Sequence, residues 1–317
     1  MPSALDVSVV VCAYTAARWD DLCRSLESLR RQRVPPREIV LVVDHDPALL
    51  ERARHAFPDV VTVANRHRRG LSGARNTGLE LTRGAITAFL DDDARADPDW
   101  IERLLAAYDD PAVAGVGGAI EPDWSSGRPA WFPAEFDWVV GCTYRGMPEC
   151  RRSVRNLIGA NMSFRTELFR DVGGFMEWIG RVGTRPLGCE ETEFCIRVAR
   201  LRPGTRMVLE PSARVRHRVP RERARWRYFA SRCWAEGRSK ALVAQRAGAG
   251  RALATERSYV TSTVTRGVAR GLGDAVLRRD VSGLTRAGAI AAGVGITTAG
   301  YVAGSVRRPS APAAACA

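Results

Sequence analysis

Asp91, Asp92 and Asp93 stand in a row directly behind the apolar run "ITAFL". Like charges at that density repel one another, so they either face water as a turn or are held together by something cationic. A hard divalent ion fits the second case: Mg2+ or Mn2+ prefers oxygen ligands and is typically held by one or two carboxylates together with phosphate oxygens. Asp91 and Asp93, alternate residues of an extended segment, could share that task. An EF-hand calcium loop does not fit, because Arg95 occupies a ligand position and the required glycine is missing.

A second acidic pair, Asp44 and Asp46, ends the run "EIVLVVDHD". In an open parallel sheet, ligands bind at the carboxyl ends of the strands, so the two acidic strand ends point at one crevice. Each alone has a plainer use as a helix cap, and Asp97 before "PDWIERL" is expected to serve as one. Phosphate needs positive groups nearby. "NRHRRGLSGARNTG" supplies Arg66, Arg68, Arg69 and Arg75, with a helix start predicted after Gly70. Neither GxxxxGK(S/T) nor a GxGxxG after a strand is present, which leaves P-loop and dinucleotide sites without support. Glu190, Glu191 and Glu193 in "GCEETEFCIR" read as an acidic first helical turn, whose dipole would lower their pKa, or as the source of a general base.

The elements that must position these groups alternate along the first 120 residues. β-Branched runs at "VSVVVCAY", "EIVLVVD", "VVTVAN", "AITAFLD" and "VAGVGGAI" are separated by helical spacings: Leu22, Leu26 and Leu29, then Leu49, Leu50 and Ala53, and later Ile101, Leu104 and Leu105. That order predicts an α/β fold, a Rossmann-like, mainly parallel sheet flanked by helices. The strands read as continuous apolar runs, as strands buried on both faces do. Between Pro122 and Pro148 the pattern lapses into a long aromatic loop with Trp124, Trp131, Phe132, Phe136, Trp138 and Tyr144.

In their order along the chain, "VSVVVCAY", "EIVLVVD", "GLSGARNTGLELTRGAITAFLDDD", "GANMSFRTELFRDVGGF", "GCEETEFCIR" and "PSARVRH" resemble glycosyltransferase family 2, inverting enzymes with a GT-A fold. The resemblance runs from about Val7 to His217 and implies a role for each matching residue. Asp44, with Asp46 and Arg75 on the same donor side, would contact the sugar nucleotide. Asp91 and Asp93 would bind metal and diphosphate, with Asp92 touching the donor sugar or lying between two ligands. His217 would reach the metal or the diphosphate. The family's Glu-Asp pair, which supplies the catalytic base, is Glu190 and Glu191 here; the second residue is one methylene longer than usual, and Glu191 is the preferred base with Glu190 as the alternative. Asn156, Asn161 and Trp138 are acceptor-side candidates.

The resemblance therefore implies a metal-dependent, inverting hexosyltransferase that uses Mg2+ or Mn2+. It would move a sugar from a nucleotide-diphosphate sugar to a hydroxyl of a lipid-linked, glycan or small-molecule acceptor in cell-envelope or secondary-metabolite glycan synthesis. One rival is a sugar-1-phosphate nucleotidyltransferase. That class usually opens with a glycine-rich, arginine-containing loop after the first strand, where this chain has the glycine-free "CAYTAARWD". Another rival is a non-catalytic module that uses the arginine-rich tail on a membrane or nucleic acid. The expected division is a catalytic domain over 1–220, with a nucleotide-sugar half (1–120) and an acceptor half (121–220), followed by a helical basic extension over 221–317.

Charge is regional. The 317 residues carry a net +13, yet from Arg200 onward there are 23 Lys and Arg against 6 acids, so the earlier part is slightly acidic. The basic partner-facing region is the C-terminal third. In "RVPRERARWRYFASRCWAEGRSK", Trp226, Phe229 and Cys233 fall at helical spacing as a packing face, with Arg221, Arg225 and Arg232 expected on the solvated side. Such a helix either docks on the catalytic domain or meets anionic lipid; no motif supports nucleic-acid binding. Ala287 to Val306 has twenty residues without a charge but is weakly hydrophobic for a span. Eight cysteines without a CxxC pair argue against a zinc module or disulfide scaffold, and with the start "MPSALDVSVVVCAY" they suggest a cytoplasmic protein, peripheral on the inner face of the cell membrane if the tail binds lipid.

Overall fold

The computed structural model describes residues 5–183, 188–247 and 259–306. The apolar runs form β1 (Val7–Ala13), β2 (Glu38–Val43), β3 (Val61–Ala64) and β4 (Ile86–Asp91). Between them lie α1 (Trp19–Arg30), α2 (Pro47–Ala56) and α3 (Leu71–Leu79). β1 pairs in parallel with both β2 and β4, and β3 extends the sheet beyond β2. Parallel pairing brings the carboxyl ends of β1, β2 and β4 to one edge. Val9 and Val11 pack in the core on one face of β1 and Val10 in the core on the other, which explains why the strand is apolar without alternation.

Beyond β4 the sheet becomes mixed. β5 (Ala94–Ala96), α4 (Trp100–Leu105), β6 (Val113–Trp124), β7 (Arg152–Val154), β8 (Asn161–Arg165), α5 (Glu167–Val172), α6 (Glu190–Leu201) and β9 (Arg206–Val219) follow in the chain. The strand order is β3-β2-β1-β4-β8-β6-β9-β5, with β7 pairing on β9. β8 runs antiparallel to β4 and β6, whereas β6 and β9 are parallel. β6 continues to Trp124, into the stretch the pattern left as loop, and Ala134–Val140 of that stretch forms a 3-10 helix. Asp97 does not cap α4 with its carboxylate: its backbone carbonyl accepts from Trp100 N, and the helix begins three residues on.

Helices α7 (Trp226–Ala247), α8 (Thr265–Leu277) and α9 (Ser282–Val306) form the C-terminal region. Phe229 and Cys233 face inward as the spacing predicts, whereas Trp226, expected on the same packing face, is exposed; Phe229 packs edge-on against Trp131 and Phe132 of the aromatic loop, both centroids at 5.5 Å. Phe229, Cys233, Val264 and Ile290 belong to the same apolar core as β1 and β4. Arg232 departs from the expectation: it is buried, not solvated. Seven of the eight cysteines are described, all as free thiols, and Cys316 lies outside the described residues.

Asn161 is the clearest correction to the acceptor-side candidates. Its side chain is fully buried at the start of β8, where Oδ1 accepts from Trp100 Nε1 (2.8 Å) and Nδ2 donates to the carbonyls of Ala119 (3.0 Å) and Ala213 (2.9 Å). The amide thus bridges α4, β6 and β9, and Gly118 makes room for it, since a Cβ there would lie 2.4 Å from Asn161 Nδ2. Asn161→Ala should destabilise the fold by about 1–3 kcal/mol for each buried partner left unpaired. Urea unfolding should show that loss while the KM for a sugar nucleotide stays unchanged; an altered KM with wild-type stability would contradict this reading.

Candidate active site

Asp44 sits at the carboxyl end of β2. It is buried, with Oδ1 accepting from Asn65 Nδ2 at 2.7 Å and Oδ2 from the Gly70 backbone N–H at 3.0 Å. Gly70 has φ +132°, and a Cβ there would come 2.9 Å from Val182 Cγ2, so glycine is required where the chain turns into α3. Asp44 lines a cleft of about 50 Å3 together with Tyr14, Arg18, Asp91 and Asp92. Asp46 does not join it. Left-handed His45 (φ 53°) turns the chain, and Asp46 Oδ1 caps α2 by accepting from Leu49 N at 3.0 Å. The donor-side expectation for Asp46 is corrected accordingly.

Asp92 and Asp93 lie in a tight turn between β4 and β5, not in an extended segment. The pairing of Ala94 with His217 in the β5–β9 ladder carries the histidine to the same turn. Its Nε2 lies 3.0 Å from Asp93 Oδ1, and Asp93 Oδ2 lies 3.1 Å from Arg18 Nη1 and 3.2 Å from Arg223 Nη2. Burial alone would raise the pKa of Asp93, but His217, Arg18 and Arg223 outweigh it and hold the group well below the usual range. For Asp92 burial wins: although Arg18 is 2.9 Å away, its pKa is pushed up to about 7, and its Oδ2 is buried without a hydrogen-bond partner. Asp91, Asp93 and His217 each offer a ligand atom, and the three atoms lie within 4.8 Å of one another.

A larger cavity of about 380 Å3 opens beside this turn. Its wall includes Asp91, Glu190, Glu191 and His217, the aromatic-loop residues Trp138 and Tyr144, Asn156 and Tyr259, and Arg232 and Lys240 of α7 with Thr297 and Tyr301 of α9. Arg75 is fully buried between the acids, with Nη1 2.8 Å from Glu190 Oε1, Nη2 3.0 Å from the Gly159 carbonyl and 3.5 Å from Asp91 Oδ1. Among the described residues, no cation comes as close to Glu191, the next residue on α6. Burial first, and the neighbouring Glu190 second, raise its pKa to about 8, against the direction expected from the helix dipole.

A family model, "Glycosyl transferase family 2", matches residues 8–173. A glucosyl-dolichyl phosphate glucuronosyltransferase of Haloferax volcanii is 38% identical over 243 residues, 75% of this chain and 77% of the relative. The chain belongs to glycosyltransferase family 2. The succinoglycan biosynthesis protein ExoM of Rhizobium meliloti is 27% identical over 78% of each chain. Among solved structures, mannosyltransferase PcManGT from Pyrobaculum calidifontis, in complex with GDP-Man and Mn2+, superposes with a TM-score of 0.61 at 18% identity, covering 95% of this chain and 88% of that one. GalNAc-T7 with UDP, GalNAc and Mn2+ gives 0.50 at 20% identity over 68% and 43%. These likenesses establish the GT-A fold. The enzyme class is glycosyltransferase, not a nucleotidyltransferase or a non-catalytic module.

The family-2 match contains Asp44, Arg75 and Asp91 to Asp93, whereas Glu190, Glu191 and His217 lie beyond it and meet the others only in space. Trp138 and Asn156, read from the sequence as acceptor-side candidates, line the cavity. Of the four arginines expected to face phosphate, Arg75 lines the cavity, whereas Arg66, Arg68 and Arg69 are exposed on the loop before α3; Arg18 reaches the cleft, Arg181 both cleft and cavity, and Arg155, Arg223, Arg232 and Lys240 the cavity. Arg181 lines both cleft and cavity, its pKa pushed down by burial and by Arg232. Only Arg18 carried a signal, as the arginine in the loop after β1. Arg75→Met should leave Glu190 as a buried charge without its cation and cost about 3–5 kcal/mol. Chemical denaturation would measure this, and the loss should shrink as pH is lowered enough to protonate the orphaned carboxyl.

Proposed function

We propose that this glycosyltransferase is metal-dependent and inverting, moving a hexosyl group from a nucleotide-diphosphate sugar to a hydroxyl acceptor. The observation that carries the reading is the cluster of Asp91, Asp93 and His217 beside a cavity that Asp91 and His217 line together with Glu191. Two carboxylate oxygens and an imidazole nitrogen within 4.8 Å suit a hard divalent ion such as Mg2+ or Mn2+. When bound, such an ion would neutralise negative charge on the departing nucleoside diphosphate. Asp44 in its cleft would hold the nucleoside, and Arg18 and Arg181 would face the phosphates.

Glu191 is the proposed general base. Its raised pKa makes its carboxylate a competent proton acceptor near neutral pH, while Glu190 is tied up in an ion pair with Arg75 at 2.8 Å. The acceptor hydroxyl would enter on the Trp138 and Asn156 side, give its proton to Glu191 and attack the anomeric carbon opposite the diphosphate. The similarity to a glucosyl-dolichyl phosphate glucuronosyltransferase favours a lipid-linked acceptor. A lipid acceptor in turn suits a protein that is cytoplasmic and peripheral on the membrane through its basic helices. We read 1–220 as the catalytic unit and 221–317 as the extension whose helices close the cavity.

Melting curves with a panel of nucleoside diphosphates and Mn2+ should show stabilisation that requires both components, and slow hydrolysis of the matching nucleotide sugar should name the donor. Asp93→Ala should abolish both responses. Glu191→Gln should keep the melting shift but lower transfer by about 100- to 10,000-fold, the usual contribution of a general base. Because the base must be deprotonated, kcat/KM should rise with pH through about 8 and level off above it. Wild-type turnover in Glu191→Gln, or a rate that falls over that range, would remove Glu191 from this role.

A further inference from the structure

Helix α9 is long and apolar enough to cross a membrane, at 25 residues, yet it is fastened along its length to the protein. A Cβ on Gly283 would meet the Gly271 carbonyl at 2.3 Å, one on Gly293 would meet Phe136 at 2.4 Å, and one on Gly300 would meet the Trp234 carbonyl at 2.4 Å. From α7, Gly237 approaches the Thr297 carbonyl so closely that a Cβ would stand 2.0 Å away. These contacts, with α8, α7 and the 3-10 helix of the aromatic loop, hold one face of α9 against the body. A bilayer-crossing α9 would have to break all of them.

The opposite face is uncharged. Leu284, Gly288, Ala291, Gly295, Val302 and Val306 are exposed at helical spacing, a strip of about 33 Å at 1.5 Å per residue. The helix contains one charged residue, Arg286, which is half-buried and paired with Asp274 and Asp280. At the α8–α9 turn, Val276, Leu277 and Val281 are 77%, 85% and 73% exposed, beside the exposed Arg278 and Arg279. Another arginine pair, Arg307 and Arg308, follows α9 in the sequence. An uncharged strip that carries Leu284, Val302 and Val306, interrupted by the exposed Thr298 and flanked at the α8–α9 turn by the exposed Arg278 and Arg279, complements a surface that is apolar inside and anionic at the headgroups.

We propose that the outward face of α9, with the α8–α9 turn, lies in the plane of an anionic bilayer as the membrane-docking surface of this protein. The proposal rests on the peripheral-membrane reading above and names its surface. Val294, Thr297 and Tyr301 of α9 line the cavity, so a lipid-linked acceptor would lie one helix away from the proposed active site.

Flotation of the full chain with vesicles tests this without turnover. Vesicles of equal parts phosphatidylcholine and phosphatidylglycerol should bind the protein at least about tenfold better than phosphatidylcholine alone. Leu284→Asp with Val302→Asp, and separately Arg278→Glu with Arg279→Glu, should each weaken binding about tenfold with unchanged melting temperature. Wild-type protein that does not float overturns both the proposal and the peripheral reading. Variants that float as well as wild type overturn the α9 surface alone, as does a Leu284→Asp/Val302→Asp variant that changes only the oligomeric state in light scattering. Activity on a soluble acceptor is scored separately, so failure of the transferase reading and failure of the docking surface are distinguishable.

Discussion

Neutralising crowded carboxylates by cations from distant parts of the chain is the constraint on which this site depends. Asp92 and Asp93 are buried side by side, and Arg18 from the segment after β1 meets both at 2.9 and 3.1 Å. Arg223 from beyond β9 and His217 within β9 complete the shell of Asp93. The tie requires β9 to run beside β5 and the first loop to close over the turn, so the sheet topology and the site electrostatics impose one another. Arg75 does the same on the other side, linking α3 to α6 through Glu190.

This arrangement divides two pairs of neighbouring acids by environment. Asp93 is held ionised while Asp92, one residue earlier, is raised to about 7; Glu191 is raised to about 8 while Glu190 takes the cation. Neighbours in the chain thus meet different surroundings, because burial and the placing of the cations decide which of them is stabilised as a charge. The C-terminal helices contribute to the same environment: α7 and α9 close the cavity, burying Arg232 and bringing Tyr301 to its wall.

Much of the fold was legible because its signals are local. The apolar runs became β1, β2 and β4, and the leucine spacings of α1, α2 and α4 became buried helix faces, since period and burial are written within each segment. Asp46 and Asn161 were misassigned for a common reason: a polar side chain looks alike in sequence whether it meets a ligand or the backbone. Asp46 caps a helix and Asn161 bridges three elements. The burial of Arg232 is not legible in its own helix, because the cavity it lines is built from residues as early as Leu71 and as late as Tyr301.

The sequence by itself determined the α/β class, the family, the acidic strand end at Asp91 and the regional basic charge, because composition, periodicity and ordered motifs survive without coordinates. Only the tertiary structure decided which cations meet which acids, that Arg75 pairs with Glu190, and that one face of α9 is bound through close glycine contacts while an uncharged face points outward. Those outcomes depend on distances and burial between residues far apart in the chain, and electrostatic energy is set by such distances and by local dielectric, neither of which a linear pattern carries.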